Sequence, residues 1–176
     1  DVDGRPQNDD VLRMIYRVTK ALDGTRPVID TSGNFHVETD IFDIHDYEQD
    51  PAEFARRYGA GTEPIYERFP DRQKRAPGQP VFVSEYGGIR WTDDNSGWGY
   101  GEGPKTEQEF IDRYRGLTET LLNNPDHCAF CYTQLTDVEQ EQNGLYTYDR
   151  KPKFDPAIIR AINAQPAAIE REDGEK

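Results

Sequence analysis

Four short apolar segments, each turning polar at its C-terminal end, constrain what this chain can fold into. They occupy residues 27–32, 41–47, 80–88 and 128–135 and are typical of β-strands. Segments with helical periodicity alternate with them, in the order helix, strand, loop, strand, helix, strand, helix, strand, helix. Such alternation is typical of parallel strands joined by right-handed crossovers. The sequence therefore predicts an α/β fold built on a parallel sheet.

The predicted helices carry recognisable start signals. Asn8 precedes a stripe of apolar residues at three-and-four spacing, which predicts a helix over residues 8–22. Asp50 and Asp155 are each followed by a proline, the residue favoured at the first helical position. Thr106 with Glu109 has the spacing of a capping box. The stripe of the first helix consists of Val11, Met14, Ile15, Val18 and Leu22.

Charge and length narrow the class of protein. The 176 residues include 34 Asp and Glu against 21 Lys and Arg, a formal net charge of −13. This balance argues against nucleic-acid backbones and anionic membranes as partners. The chain begins at Asp1 rather than at a methionine, as expected for an excised piece. We predict one domain over residues 1–164 and a charged, frayed tail over residues 165–176.

The third predicted strand ends on a single ionisable group, Glu85, just before a Gly-Gly turn. A carboxylate at the tip of a buried strand costs desolvation energy unless partners or a substrate use it. In parallel α/β barrels this tip is where catalytic side chains lie. Glu85 is therefore either a catalytic carboxylate or a structural acid paired with a nearby arginine.

The other strand ends add polar side chains that would meet at one rim of the sheet, a set typical of hydrolases. A metal-dependent hydrolase is an alternative, with His36, His45 and either Asp30 or Asp46 as ligands, but paired ligand spacings are lacking. Cys128 and Cys131 lack a second pair for zinc and are expected to be buried thiols. The rim set is Asp30, His45, Asp46, Tyr47, Glu85, Tyr86, Tyr132, Gln134 and Asp137.

Three motifs make the comparison with a known family specific. They are I-H-D-Y at residues 44–47, V-S-E-Y-G-G at residues 83–88, and C-Y-T-Q-L-T-D-V-E-Q-E-Q-N-G-L-Y at residues 131–146. In this order and spacing they resemble the C-terminal half of the catalytic barrel of glycoside hydrolase family 2, which includes β-galactosidases and β-glucuronidases. R-P-V-I-D at residues 26–30 matches the same region. The resemblance extends over about residues 9–163.

The resemblance implies the C-terminal half of a (β/α)8 TIM barrel, with parallel strands five to eight and their helices. A complete barrel needs about 250 residues, more than this chain has. Glu85 matches the family's nucleophile at the end of the seventh strand, and no cofactor is implied. The acid/base glutamate of the family follows an asparagine at the end of the fourth strand. No N-E dipeptide occurs here, so this residue is expected upstream of Asp1.

In such an enzyme other rim residues would bind the substrate. Tyr47 or Tyr86 would donate a hydrogen bond to Glu85, and His45 would contact a sugar hydroxyl. Trp91 or Trp98 would stack on a sugar face. Tyr132 and Gln134 complete the predicted substrate-binding residues. The alternative for each is a packing role at the barrel rim.

The predicted partners are a carbohydrate substrate and the missing N-terminal half of the barrel. Half a barrel leaves unpaired strand edges and an open apolar face, so self-association is expected where the other half is absent. The alternative function is a catalytically incomplete fragment that binds carbohydrate or assembles with such an enzyme. A polypeptide starting at Asp1 is expected to hydrolyse unactivated aryl β-glycosides negligibly.

Overall fold

The computed structural model describes residues 7–62, 65–92 and 97–171, and it shows helices alternating with parallel strands. A short 3-10 helix over Ala168–Glu170 follows the last α-helix. In chain order the elements are α1 (Asp9–Leu22), β1 (Phe42–Asp46), α2 (Pro51–Tyr58), β2 (Val81–Gly87), α3 (Glu107–Leu122), β3 (His127–Thr133) and α4 (Pro156–Asn163).

The three strands form one parallel sheet in the order β1-β2-β3, with β2 in the centre. Helices cover one face of this sheet. Tyr86 of β2 shares a hydrogen bond with Thr118 of α3 (2.8 Å), and Asp46 of β1 accepts one from Tyr58 of α2 (2.8 Å). The α/β class with a parallel sheet is therefore confirmed, whereas the half barrel stays a prediction.

The hydrophobic core lies between this face and helices α2, α3 and α4. Burying each large apolar side chain stabilises the fold by roughly 1.5–3 kcal/mol. The sheet contributes Phe42, Ile44, Val81, Val83 and Tyr86. The helices and their flanking loops contribute Phe54, Tyr58, Phe110, Tyr114, Leu117, Leu121, Phe154 and Ile162.

The predicted helix starts are confirmed by their cap hydrogen bonds. The Asn8 side chain accepts from the backbone of Asp10 and Val11, and Thr106 Oγ1 accepts from Glu109 N at 3.1 Å. Asp50 and Asp155 cap α2 and α4 in the same way. Each cap satisfies backbone N–H groups that lack a partner within the helix.

The predicted strand over residues 27–32 is wrong, because side chains rather than a neighbouring strand bind the backbone there. Val28 N donates to Asp40 Oδ2 at 2.8 Å. The Asp30 carboxylate accepts from Val37 N (2.7 Å) and Glu38 N (3.1 Å), so it folds the following loop back on itself. Aspartate side chains that accept hydrogen bonds from nearby backbone compete with the hydrogen bonds of a β-sheet, and in this segment the aspartate bonds form instead.

Helix α1 forms as predicted, but none of its residues is buried. Its polar side contacts the loop after it, where the Tyr16 hydroxyl donates to Asp40 Oδ1 at 2.7 Å. The apolar stripe faces outward, with Met14 58% and Leu22 84% exposed. No helix in the described residues is long and apolar enough to cross a membrane.

The second face of the sheet carries Asp43, His45 and Glu85 on β1 and β2 and exposed side chains on β3. Cys128 and Cys131 are free thiols and both are exposed, so the prediction of buried thiols is wrong. The physical reason lies in the pairing of β3 with β2. Cys128 is an extra residue on β3, between the partners of Val81 and Phe82, and Cys131 alternates with Phe130 and Tyr132, which pack on the core.

His127, at the start of β3, is a buried imidazole without a hydrogen-bond partner among the described residues. Its ring lies edge-on to Tyr58, with 6.0 Å between the ring centroids. Burial lowers the pKa of His127 from 6.5 to about 4. His36 provides a contrast, since its Nδ1 bonds to Asp30 Oδ1 at 2.7 Å and its Nε2 contacts the Asp43 backbone.

Replacing His127 is expected to stabilise the fold. His127→Leu removes two unsatisfied nitrogens at similar volume and should raise the free energy of unfolding by about 1 kcal/mol at pH 7. Between pH 6.5 and 4 the unfolded state takes up a proton that folded His127 does not. This group therefore makes wild-type stability fall as the pH falls, and the variant should lose that part of the dependence.

Urea unfolding followed by circular dichroism across this pH range measures both effects. His36→Leu is the matched control, because it removes a bonded imidazole and should destabilise the fold by roughly 1–3 kcal/mol. Equal destabilisation by the two substitutions would show that His127 has a partner outside the described residues.

Candidate active site

A bulge in β2 places Glu85 on the face of the sheet that is opposite the helices. The register between β1 and β2 pairs Ile44 with Val83 and then His45 with Glu85, so Ser84 is an extra residue on β2. An extra residue shifts the alternation of side chains along a strand. As a result Val83 and Tyr86 both face the helices, and Glu85 faces the same side as His45.

One oxygen of the Glu85 carboxylate is held and the other is available. The Tyr47 hydroxyl donates to Oε2, and His45 Nδ1 lies 3.3 Å from the same atom. Within the described residues Oε1 accepts no hydrogen bond, and the side chain is 36% exposed. The carboxylate is thereby oriented by two neighbours while one oxygen can reach a ligand.

His45 is a buried link between Glu85 and the loop before β1. Its Nε2 lies 2.9 Å from Ser32 Oγ, and burial lowers its pKa although Glu85 opposes this shift. Gly33 has a φ of 67° and packs directly against the imidazole, where a Cβ would overlap the ring. Ser32 and Gly33 support the site, and neither carries a signal in the sequence that would predict this role.

Three aromatic side chains, Tyr47, Tyr100 and Trp98, form a row that extends from Glu85 along the glycine-rich loop after β2. Tyr47 stacks on Tyr100 with 3.4 Å between ring centroids and 4° between the planes. Trp98 lies edge-on to Tyr100 at 5.8 Å and is 48% exposed. Burial, followed by the hydrogen bond to Glu85, raises the pKa of Tyr47, so this hydroxyl stays protonated and acts as a donor. Tyr100 was not among the predicted substrate-binding residues, whereas its neighbour Trp98 was.

Glu85 differs from the acid at the end of β1. Asp46 is buried, and Arg57 Nη1 lies 3.0 and 2.9 Å from its two carboxylate oxygens. This is the arginine-paired structural role that was the alternative for Glu85. Among the described residues Glu85 has no arginine or lysine partner.

Two predicted site tyrosines belong to the packed interior. Tyr86 is fully buried and its hydroxyl contacts Thr118, so Tyr47, not Tyr86, contacts the carboxylate. Tyr132 packs edge-on against Tyr86 at 5.6 Å between ring centroids. Its hydroxyl accepts from Ile89 N (3.3 Å). The bulge in β2 explains why Tyr86 is buried, because it turns this side chain towards the helices.

Trp91 and Gln134 lie on the loops beyond the strands. The Trp91 ring packs against Phe110 and Phe154, with centroids 6.1 and 5.7 Å apart, so the structure separates it from the row formed by Tyr47, Tyr100 and Trp98. The Gln134 amide donates to Asn143 Oδ1 at 2.9 Å and thereby holds the loop after β3.

The residues of the metal-site alternative have other protein partners. Asp30 and His36 bind each other and the backbone, His45 contacts Ser32 and Glu85, and Asp46 pairs with Arg57. Although burial would raise the pKa of Asp30, its hydrogen bonds from His36 and from backbone N–H groups lower the pKa on balance. In the described ranges, no cluster of three His, Cys, Asp or Glu side chains is arranged to hold a metal ion.

Comparison with solved structures identifies what the fold is similar to. A β-glucuronidase from an uncultured Clostridium species superposes with a TM-score of 0.61 at 14% identity, covering 89% of this chain. A Bifidobacterium dentium β-glucuronidase complexed with coumarin-3-O-glucuronide gives 0.60 at 19% identity and 95% coverage. An exo-β-agarase gives 0.56 at 10% identity and 89% coverage.

These similarities concern the fold alone. The chain spans 30%, 29% and 22% of the three proteins' own lengths. No protein-family model matches the sequence, and no curated protein matches it. The chain therefore has the mixed α/β fold of part of a glycoside hydrolase.

The turn after β2 is expected to be essential for the aromatic row. Gly88 has a φ of 59°, and a Cβ there would overlap the Tyr100 ring. Gly88→Ala should therefore lower the free energy of unfolding by about 1–3 kcal/mol and shift the ring signals of Tyr47 and Tyr100 in NMR spectra. Gly78→Ala is the matched control, because Gly78 has a φ of 74° but no atom within 4 Å of a built Cβ. Equal effects of the two substitutions would contradict the steric argument.

Proposed function

We propose that this chain carries the nucleophile of a retaining β-glycosidase, with Glu85 as that nucleophile. The observation that carries the proposal is the state of its carboxylate, which is oriented through Oε2 by Tyr47 and His45 while Oε1 is unbonded within the described residues. An acid needed only for stability would have a partner such as Arg57 provides for Asp46. The resemblance of S-E-Y-G-G to the motif of glycoside hydrolase family 2 supports the same role.

The chemistry follows from this geometry. Oε1 of Glu85 attacks the anomeric carbon, and an ester bond to the sugar forms as the glycosidic bond breaks. The leaving oxygen takes the bonding electron pair and a proton from an acid. In the second step the conjugate base of that acid takes a proton from water, the water oxygen bonds to the same carbon, and the ester bond to Glu85 breaks. Tyr47 and His45 keep Oε2 in place, so the attacking oxygen needs no reorientation.

The second carboxyl group is proposed to come from outside the described residues. Retention requires two carboxyl groups about 5–5.5 Å apart. The groups that contact Glu85 are a phenol and an imidazole, and neither matches the acid/base glutamate of the family. We assign that role to a segment that would complete the barrel before α1.

The substrate is proposed to be a β-glycoside. Tyr100 and Trp98 would provide the apolar platform for a sugar ring next to Glu85. The sequence motifs resemble a family that includes β-galactosidases and β-glucuronidases, and two of the similar structures are β-glucuronidases. His45 is reassigned from sugar binding to positioning, because both of its ring nitrogens already face protein groups.

Covalent labelling tests the nucleophile without the missing acid. A fluorosugar β-glycoside with a dinitrophenyl leaving group needs no proton, because the phenolate departs with the electron pair. We expect one sugar on Glu85 by intact mass and peptide mapping, and no adduct in Glu85→Gln. Aryl glycosides with unactivated leaving groups should remain unhydrolysed by the 176-residue chain.

The matched control is Glu102→Gln, which removes an exposed carboxylate from the glycine-rich loop and should leave labelling unchanged. Galactosyl, glucosyl and glucuronyl reagents are compared side by side to identify the sugar. An adduct on another carboxylate, or none with any reagent, would refute Glu85 as nucleophile. Rapid turnover of unactivated substrates would refute the proposal that the acid comes from outside the described residues.

The exposed stripe of α1 is proposed to pack against the rest of the barrel, and against another copy where that part is absent. Val18→Glu should then reduce self-association measured by sedimentation velocity at micromolar concentration. Arg13→Gln changes the net charge by the same amount on the opposite side of the helix and should leave association unchanged. A monodisperse wild-type monomer would contradict this proposal.

A further inference from the structure

We propose that a cavity of about 530 Å³, next to but separate from Glu85, is a second carbohydrate-binding site for neutral sugars. Its wall is formed by the loop after β2 and by the segment between β3 and α4. The volume lies in the range of about 300–1,000 Å³ found for small-molecule sites. We call it the Lys153 cavity; its lining includes Trp91, Asp137, Tyr148, Asp149, Lys151 and Lys153.

The cavity contains a buried ion pair. The Lys153 side chain is 7% exposed, and its ammonium donates to Asp137 Oδ1 at 2.7 Å and to the Trp91 carbonyl at 2.9 Å. An ammonium has three hydrogens, and the described residues accept two of them. The Asp137 oxygen also accepts from Gly144 N at 2.9 Å. This pair is fixed by the protein and retains hydrogen-bonding capacity for a ligand.

An aromatic side chain is presented at the cavity by a tight turn. Thr147 N donates to Lys151 O (2.9 Å), Arg150 N to Thr147 O (2.8 Å), and Lys151 N to Thr147 Oγ1 (3.1 Å). Arg150 has a φ of 63°, an uncommon conformation that these bonds hold in place. Tyr148 in this turn is 66% exposed. An exposed ring on a fixed turn binds at low entropic cost, because little of the backbone remains to be ordered.

The chemistry of the wall favours a neutral, hydroxyl-rich ligand. Its two lysines, Lys151 and Lys153, balance the two aspartates, Asp137 and Asp149, so neither an anion nor a cation gains net attraction. Hydroxyl groups can both donate to carboxylates and accept from ammonium groups. Tyr148 and Trp91 add apolar ring surface of the kind that packs on the C–H face of a pyranose.

The Lys153 cavity adjoins the aromatic row through one residue. This residue is Gln142. Its backbone carbonyl accepts a hydrogen bond from Trp91 N at 3.0 Å, and its backbone N–H donates to the Trp98 carbonyl at 2.8 Å. Trp98 belongs to the row beside Glu85. The Glu85 carboxylate contacts Tyr47 and His45, which do not line the cavity. The cavity can therefore bind a sugar whether or not Glu85 is a nucleophile.

The test is an NMR titration of the 176-residue chain with methyl β-glycosides and β-linked disaccharides of glucose, galactose, mannose and xylose. At least one neutral sugar should give saturable shifts at Trp91, Tyr148 and Lys153. Tyr148→Ala should weaken that binding by about five- to tenfold. Tyr148→Phe retains the ring and should bind within about twofold of the wild type.

Glu85→Gln is the second control and should bind the sugar as the wild type does. Conversely, fluorosugar labelling of Glu85 should persist in Tyr148→Ala, so each proposal can fail without the other. The proposal is overturned if no neutral sugar gives saturable shifts at millimolar concentration. It is also overturned if shifts centre on Tyr100 and Trp98, if Tyr148→Ala binds normally, or if only a uronic acid binds.

Discussion

The packing of one face of a three-stranded parallel sheet against α2 and α3 is the constraint on which the rest of the structure depends. Tyr86 from the central strand is fully buried between Phe54 of α2 and Thr118 of α3. Because helices cover this face, the polar ends of the strands are directed to the other one or bound by helix side chains. The candidate site is therefore a consequence of one-sided packing.

The two acids at the ends of β1 and β2 illustrate how this packing divides structural from functional groups. Asp46 faces α2 and is neutralised by Arg57, which also pairs with Glu48. Glu85 faces the open side, where its neighbours are hydrogen-bonding groups and not fixed cations. A carboxylate that is oriented and accessible in this way suits covalent catalysis, whereas Asp46 serves the stability of the fold.

Two sets of side chains that are often buried are exposed in the described residues. Two free cysteines are exposed on β3, and the apolar stripe of α1 faces outward. The similar glycoside hydrolases are longer than this chain, which spans 22–30% of them. Both features agree with the proposal that further barrel elements, which would also supply the second carboxyl group, pack against this chain.

The sequence by itself determined the helix starts, the three strands that form, and Glu85 at the end of the central one. These depend on local signals such as the Asn8, Asp50 and Asp155 caps and short apolar runs. The failure at residues 27–32 has a tertiary cause, because a strand needs a neighbour and Asp30 and Asp40 bind the backbone instead.

Only the tertiary structure decided which rim residues meet Glu85. The sequence of β2 alone does not show whether Glu85 or Tyr86 faces the core. The bulge at Ser84 turns the Tyr86 side chain into the core. Tyr100 and Ser32 join the site across long stretches of chain, through the Tyr47 stack and the His45 contact. Such pairings depend on the register and on loop paths, which local sequence does not encode.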